Sequence, residues 1–571
     1  MIQRLVYPAA FLFAFIAIVS RLWVTEDAFI TFRMVENIFA GHGYLFNPGE
    51  PVEASTHPIW SAALILLRGV GLPLDVGSVL LGLLFSFIGI GILIRRSAGA
   101  GAFPFAVLAL CSISGFRDFA TSGLEFSLTF LLIVLFYQEL ERGSLSSSPI
   151  YKALLLVTLY LNRPETGLFY AYYSIVLLWE LFQARHLTMV KRLGIAAGWG
   201  VPLLIPIAYH LFRWAYFDAL FQNPYYAKAG LASNGVQGFK YILHSFIFAP
   251  AIPIAAVMLV AIFFLHRMRS AFKPVELNGL IRDCGLLVIL TLYVIRVGGD
   301  FMAFRLWLPE AVMLCLLVDR FFLRRPDWLV FGSVTPTFGK GLAFALFVIL
   351  SFLPVPIANG YIADERAVYA SMGAGQLTGW EKNPWAVRGV AFKKLQSCIG
   401  YEKFWIANSQ ADAKCLRGVG LGYLGVAAGA HVKIQDEQGL SDRTIARNRV
   451  LLRFRPGHEH YTTFQNVLDK GVLFCSTGEP EYDRAMATSA GIVIHFEPDL
   501  LSTIPGIRNR LNRLIELKRT GSSVIPRLET RYGRTVEQLY ADSETWEADP
   551  LQKSKNQCWD DFEGGVETYF Y

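Results

Sequence analysis

From residue 5 to about residue 357 the chain is a succession of apolar runs, most of them roughly 16 to 24 residues long, about the length a helix needs to cross the hydrocarbon core of a bilayer. A water-soluble fold has no core large enough to cover so many helices that are apolar on every side. The 571-residue chain is accordingly 54% hydrophobic, above the usage of an ordinary soluble domain. Beyond Pro354 to Gly360 the charge density becomes that of a soluble protein. The expected organisation is an α-helical polytopic membrane domain over residues 1–357, followed by a soluble domain over residues 358–571. The first run follows Arg4 as a signal peptide would, but Thr25-Glu26-Asp27 stands where a small-residue cleavage site belongs, so it is read as a retained span.

Counting apolar runs gives about eleven spans, at 5–24, 74–94, 101–116, 124–140, 150–161, 167–182, 193–211, 241–265, 285–297, 306–318 and 341–357. A cytoplasmic N-terminus puts Arg95-Arg96, the basic loop 185–192, the group Arg267, Arg269 and Lys273, and the group Arg320, Arg324 and Arg325 all in the cytoplasm, as the positive-inside rule requires. The same clustering accounts for the net charge of +7 without nucleic acid as a partner. An odd number of spans in a bacterial inner membrane then leaves the C-terminal domain on the periplasmic or extracellular side. Residues 58–68 are apolar but too short to cross, and read as an interfacial helix closing the first outer loop.

The outer loops carry the polar chemistry. They are 25–57, Arg117-Asp118 with Ser122-Gly123-Leu124-Glu125, Asn162-Arg163-Pro164-Glu165, 217–240 and 296–305. Ionisable groups at a membrane surface are costly to desolvate and mark a cavity or an internal pair. Several such loops on one face point to one shared polar site.

Glu26 and Asp27 directly follow the first span, so their carboxylates stand near the outer surface, within reach of a lipid headgroup and of an aqueous acceptor. A carboxylate there can take a hydroxyl proton as a sugar is transferred; it can equally favour the start of a helix at Ala28. Arg33, Arg163, Lys228, Arg296 and Arg305 lie on the same face and suit a phosphate leaving group, although any one of them alone reads as a snorkelling or ion-paired residue. Arg163-Pro164-Glu165 opens a span with a proline and an acid, a good helix start that also makes an Arg–Glu pair. Glu125 and His57 belong to the same set of outer-loop groups. Asp300 follows the flexible Gly298-Gly299 and can bind sugar hydroxyls, orient a cation or simply end a turn. His42 and His57 share the first loop with two acids, a set that could hold a divalent cation, yet no HxxH-type spacing supports a metal. No metal site or other cofactor is assigned.

Read in order, Glu26-Asp27-Ala28-Phe29-Ile30-Thr31-Phe32-Arg33, Gly41-His42-Gly43-Tyr44-Leu45-Phe46-Asn47-Pro48-Gly49-Glu50-Pro51-Val52-Glu53, Thr56-His57-Pro58-Ile59-Trp60, Thr121-Ser122-Gly123-Leu124-Glu125, Arg163-Pro164-Glu165, Asn223-Pro224-Tyr225-Tyr226-Ala227-Lys228 and Gly298-Gly299-Asp300-Phe301-Met302 form one pattern. It resembles the terminal arabinofuranosyltransferase family of mycobacterial cell-wall synthesis and its relatives, glycosyltransferases of the GT-C class. The resemblance covers most of the membrane domain and extends more weakly to Gly439-Leu440-Ser441-Asp442 and Arg455-Pro456-Gly457-His458-Glu459. It implies a decaprenyl- or undecaprenyl-phosphate sugar donor held at a membrane lipid surface, a periplasmic active site, and a first-loop acid as catalytic carboxylate, which falls on Asp27. That family often has two aspartates in this loop, so Glu26 leaves open which of the two acids is the base. Arabinofuranose is the first sugar the resemblance suggests; the acceptor would be a periplasmic glycan or a surface glycoprotein such as pilin.

The C-terminal part alternates β-rich runs at 404–407, 471–474 and 491–496 with helical stretches such as 508–519, the pattern of a small α/β or α+β domain. It has no nucleophile elbow, P-loop or paired metal motif, so its expected role is acceptor binding or support. Cys398, Cys415, Cys475 and Cys558 lie there, free to form one or two disulfides in an oxidising compartment or to remain as buried thiols. The alternative function is a transporter or flippase of a lipid-linked sugar. Transporters carry internal repeats and charged, broken midplane helices, whereas here no repeat is visible and the charges gather at one face. A membrane-anchored receptor for glycans would leave the polar outer loops without a purpose.

Overall fold

The computed structural model describes residues 2–229, 233–269, 274–324, 336–371, 379–399, 404–408, 420–436, 438–448, 450, 459–460, 507–521, 525–526, 529, 533–548 and 557–558. Helices dominate. The chain begins with α1 (Ile2–Val19), α2 (Glu26–Phe39), α3 (Pro58–Gly69) and α4 (Leu74–Ala100). It continues through α5 (Phe105–Ser112), α6 (Ser114–Phe119), α7 (Phe126–Arg142), α8 (Pro149–Asn162), α9 (Gly167–Gln183), α10 (Met189–Gly200) and α11 (Leu204–Phe217). The helices α12 (Gly235–Phe248), α13 (Ala251–Arg269), α14 (Pro274–Val297), α15 (Leu308–Arg324) and α16 (Pro336–Leu350) follow.

By length and composition, two helical stretches among the described residues are apolar enough to cross a membrane: α4, and α10 continued through a 3-10 turn into α11 as Met189–Phe217. A third results if α12 and the start of α13 count as one span, bent by 93° at a break that holds Pro250, whose missing N–H favours a kink. This is fewer than the eleven runs counted in the sequence, and the helices show why. The 14-residue α8 rises only about 21 Å, short of a core roughly 30 Å thick. The run at 101–116 breaks at the extended Ile113 into α5 and α6, and all eight residues of α5 are buried, so it is apolar on every side because other helices cover it. Those neighbours include α1, α13, α15 and α16. The 58–68 segment is the helix α3.

The second half starts with the hairpin β1 (Ala358–Asn359) and β2 (Ile362–Ala363), followed by α17 (Glu365–Ser371) and α18 (Pro384–Ile399). Then β3 (Phe404–Asn408) and β4 (Val432–Asp436) pair in parallel, Phe404 opposite Val432, with α19 (Leu421–Ala428) between them in sequence. Helices α20 (Ile507–Arg519) and α21 (Val536–Ala548) pack on each other. The run expected at 404–407 is thus a strand and that at 508–519 a helix, while 471–474 and 491–496 lie outside the described residues. Cys398 on α18 is disulfide-bonded to Cys558; Cys415 and Cys475 lie outside the described residues.

Contacts with α2 join the two halves. Gly420, Gly422 and Gly425 let α19 lie close along it: a Cβ on Gly422 would stand 2.1 Å from the Glu26 carbonyl oxygen, and one on Gly425 2.9 Å from Arg33 Cδ. Arg33 is fully buried and donates to the carbonyls of Phe46 (2.8 Å), Val432 (2.8 Å) and Gly425. Asn47 uses its amide like a neighbouring strand, donating to Ile434 O at 2.8 Å and accepting from Ile434 N at 3.0 Å.

A candidate active site at the helix ends

Residues at the ends of five helices, four of them charged, converge on one cavity of about 200 Å³. Asp27 lies in the first turn of α2, Glu125 immediately precedes α7, Arg163 follows α8, Val297 ends α14, and Arg305 lies just ahead of α15. His57, Glu165, Lys228, Asp300 and Glu459 complete the titratable lining.

Each side chain is held by local structure. The start of α2 is fixed by Thr25 N donating to Ser122 O at 2.9 Å. The turn before Glu125 needs Gly123, whose φ is 80° and whose carbonyl receives the Trp60 indole N–H at 2.9 Å. Asn162 donates from its amide to Glu125 O (3.0 Å) and to Thr129 Oγ1 (2.9 Å), which ties the end of α8 to the start of α7. The loop between α14 and α15 turns through Gly298 (φ 95°) and Gly299 (φ 71°), and Phe304 is held at φ 67°, a conformation that costs a side-chain-bearing residue energy. Tyr241 clamps this loop, donating its hydroxyl to Met302 O at 2.9 Å and accepting from Leu306 N at 3.0 Å. Gly299 has to be small, since its Cβ would stand 2.4 Å from the Tyr241 ring. The loop also pairs with β2, Ala303 N donating to Ala363 O and Ala363 N to Phe301 O, each at 2.8 Å.

The two guanidinium groups are paired with carboxylates. Arg305 Nη1 lies 3.2 Å from Asp27 Oδ2 and 3.9 Å from Asp300 Oδ2. Arg163 donates from Nε to Glu165 at 2.6 Å, and its Nη1 lies 3.6 Å from Glu125 Oε1. His57 places Nδ1 3.4 Å from Glu125 Oε2 and Nε2 3.0 Å from Thr31 Oγ1. Lys228 rests its ammonium 5.8 Å from the centre of the Phe301 ring. Burial works against the Arg305 charge, but Glu125, Asp300 and Asp27 outweigh it and hold the guanidinium above its ordinary value. Burial pushes His57 below its ordinary value, opposed by Glu125 and reinforced by Arg305 and Arg163. The imidazole is therefore neutral near pH 7.

Three residues named from the sequence face elsewhere. Glu26 is buried away from the cavity, and its carboxylate accepts the N–H groups of Gly422 and, at 3.1 Å, Tyr423, at the N-terminus of α19. Burial, then the Asp27 charge, push its carboxyl well above the usual range against those two donors. Arg33 serves the junction described above. Arg296 does not line the cavity; its carbonyl accepts from Asn234 N at 3.0 Å. Conversely, Thr31, Gln222, Tyr225, Tyr293, Leu440 and Glu459 line it. Of these Leu440 and Glu459 come from the C-terminal half, where the residue pattern alone signalled no chemistry; their one signal was membership of motifs that the resemblance reaches. Among the described residues no three of His, Cys, Asp and Glu come together as metal ligands.

A mostly helical body with apolar helices, enclosing a cavity of paired carboxylates and guanidinium groups at its helix ends, has the equipment for group transfer. Two relatives are more particular. The chain is 31% identical over 357 residues to a terminal beta-(1->2)-arabinofuranosyltransferase of Corynebacterium glutamicum, covering 54% of this chain and 50% of that protein. It is 31% identical over 338 residues to the protein of the same name from Mycobacterium tuberculosis, covering 52% of each. These matches bear out the resemblance to terminal arabinofuranosyltransferases read from the motifs. The chain spans about half the length of the curated relatives it matches. No family model and no solved structure matches it.

Proposed function

We propose that the chain is a membrane glycosyltransferase of the GT-C type that moves a sugar, arabinofuranose in the first instance, from a polyprenyl-phosphate donor to a hydroxyl of a periplasmic glycan or surface-protein acceptor. The observation that carries this reading is the cavity in which Asp27 and Arg305 pair beside Arg163, His57 and Lys228; half the chain's likeness to arabinofuranosyltransferases supports it. Asp27 takes the acceptor's hydroxyl proton while that oxygen bonds to the anomeric carbon, and the carbon–oxygen bond to phosphate breaks with its electron pair leaving on the phosphate. Lys228, which no carboxylate reaches among the described residues, receives the departing phosphate together with Arg305 and Arg163. Asp300 and Glu165 meet sugar hydroxyls, and the neutral His57, whose two ring nitrogens face Glu125 and Thr31, holds those two side chains in place on the cavity wall. Glu26, Arg33 and Arg296 have no part in the chemistry.

In the same reading residues 1–357 form an inner-membrane domain of about eleven spans, several of them short or broken, and residues 358–571 form a domain on the periplasmic side. The Cys398–Cys558 disulfide suits that oxidising compartment. The test incubates purified protein with radiolabelled arabinofuranosyl phosphodecaprenol and an arabinan or pilin-type acceptor. Label transferred to the acceptor supports the reading. Label that only crosses the membrane of a proteoliposome, with no transfer, points to a flippase.

A further inference from the structure

Two short motifs 216 residues apart in sequence interlock beside the cavity, which Tyr225 and Leu440 both line. Asn223, Tyr225 and Lys228 belong to the first; Gly439, Leu440 and Asp442 belong to the second. The Asn223 amide nitrogen reaches three carbonyls of the second motif, Gly439 O at 2.6 Å, Asp442 O at 3.0 Å and Leu440 O at 3.2 Å. Its amide oxygen lies 3.3 Å from Arg447 Nη1, and the Arg447 guanidinium stacks 4.0 Å from the centre of the Tyr226 ring. Asn223 is buried, and its backbone N–H is fixed on Glu53 O at 2.9 Å.

The segment it grips is rigid in its own right. Asp436 accepts the N–H groups of Gln438 (2.9 Å) and Ser441 (2.8 Å), and Asp442 accepts those of Thr444 (2.9 Å) and Ile445 (3.0 Å). Gly439, at φ 77°, closes the turn where a Cβ would meet Ala446 N at 2.6 Å. Directly after Asn223 and Pro224 the chain takes a π-helical turn, Tyr225–Ala229, which carries Tyr225 and Lys228 into the cavity lining, and Leu440 lines the same cavity. Single π-helical turns of this kind recur at functional sites.

We propose that Asn223 is a positioning residue: it latches residues 438–447 over the cavity as a wall that keeps bulk water from the reacting carbon, so that an acceptor hydroxyl, and not water, receives the sugar. This rests on the transferase reading above. With the wall displaced, a water oxygen bonds to the anomeric carbon, its proton passes to the same carboxylate, and the phosphate leaves with the electron pair of the broken bond. The products are free sugar and polyprenyl phosphate.

The experiment uses full-length protein and Asn223→Asp, which keeps the shape and removes the amide donors, with Arg447→Ala at the exposed half of the latch as a second variant less apt to disturb folding. Hydrogen exchange of residues 438–447 is measured alongside the ratio of free sugar released to sugar transferred from the phosphodecaprenol donor. We expect exchange of that segment to rise in both variants, and the hydrolysis-to-transfer ratio to rise by at least about tenfold in Asn223→Asp, the equivalent of losing a little over one net hydrogen bond, with a smaller rise in Arg447→Ala. Unchanged exchange overturns the latch whatever the activity. Raised exchange with an unchanged ratio overturns the water-excluding role. Wild-type protein that releases sugar from no polyprenyl-phosphate donor defeats the transferase reading and this role with it, while the exchange result still reports on the latch separately.

Discussion

The Asp27 carboxylate and the Arg305 guanidinium lie 3.2 Å apart in space and 278 residues apart in sequence. The contact joins the first turn of α2 to the loop before α15, so the proposed base is oriented by one of the cations proposed to hold the leaving phosphate. Asp27→Asn keeps the size and one acceptor oxygen but removes the proton acceptor. Transfer should fall by at least about 10²-fold with donor binding retained. Arg305→Ala should lower transfer by a similar factor and weaken donor binding as well. Steady-state kinetics with separate donor titration distinguishes them; Asp27→Asn at wild-type rate would move the base elsewhere.

Glu26, next to Asp27, should behave in the opposite manner. Glu26→Ala leaves the N–H groups of Gly422 and Tyr423 without their acceptor, a loss of roughly 1–3 kcal/mol in stability. Gly422→Ala should cost a comparable amount by forcing α19 off α2, because the nearest atom to the new methyl is backbone, the Glu26 carbonyl oxygen. Both should lower the thermal midpoint and retain transfer at low temperature. Loss of transfer by a correctly folded Glu26→Gln protein would count against this division of labour between the two acids.

The buried His57 makes a pH prediction. Its proton affinity in the folded state lies below the ordinary value of 6.5, so the unfolded chain binds that proton more readily. The stability attached to the neutral ring is fully present above pH 6.5 and is lost as pH falls through the folded-state value. Denaturation followed from pH 7.5 downward should show this decline in wild type and a shallower one in His57→Gln. Equal slopes would mean that the ring is solvated.

The Cys398–Cys558 disulfide closes a loop with a sequence separation of 160. Removing it as the double serine variant should destabilise the C-terminal half by about 2–5 kcal/mol, seen as a lower unfolding midpoint that no longer responds to reductant. A midpoint equal to that of the oxidised wild type would show that the bond contributes nothing to stability.

Some of this was legible in the residues. The helical character, the strand at 404–408 and the helix at 507–519 follow from apolar periodicity and length. So does the standing of charged residues at helix ends, because a charge within an apolar helix has few places to go. The number of helices long enough to cross a bilayer was less legible. A run of apolar residues looks the same whether lipid or other helices surround it, and α5 is enclosed by other helices.

Sequence by itself determined that two acids open α2, that cations stand at several helix ends, and that the chain resembles arabinofuranosyltransferases over half its length. Tertiary structure decided which acid faces the cavity. Adjacent residues on a helix differ by about 100° in direction, so Glu26 and Asp27 cannot both point one way, and the choice depends on α19, whose Gly422 lies 396 residues further along the chain. Arg33 was assigned in the same manner: a guanidinium that could have bound phosphate instead satisfies three carbonyls, two of them in the C-terminal half. Local pattern sets where charged groups begin, but burial makes each one take a partner, and those partners come from chain segments that only folding brings near.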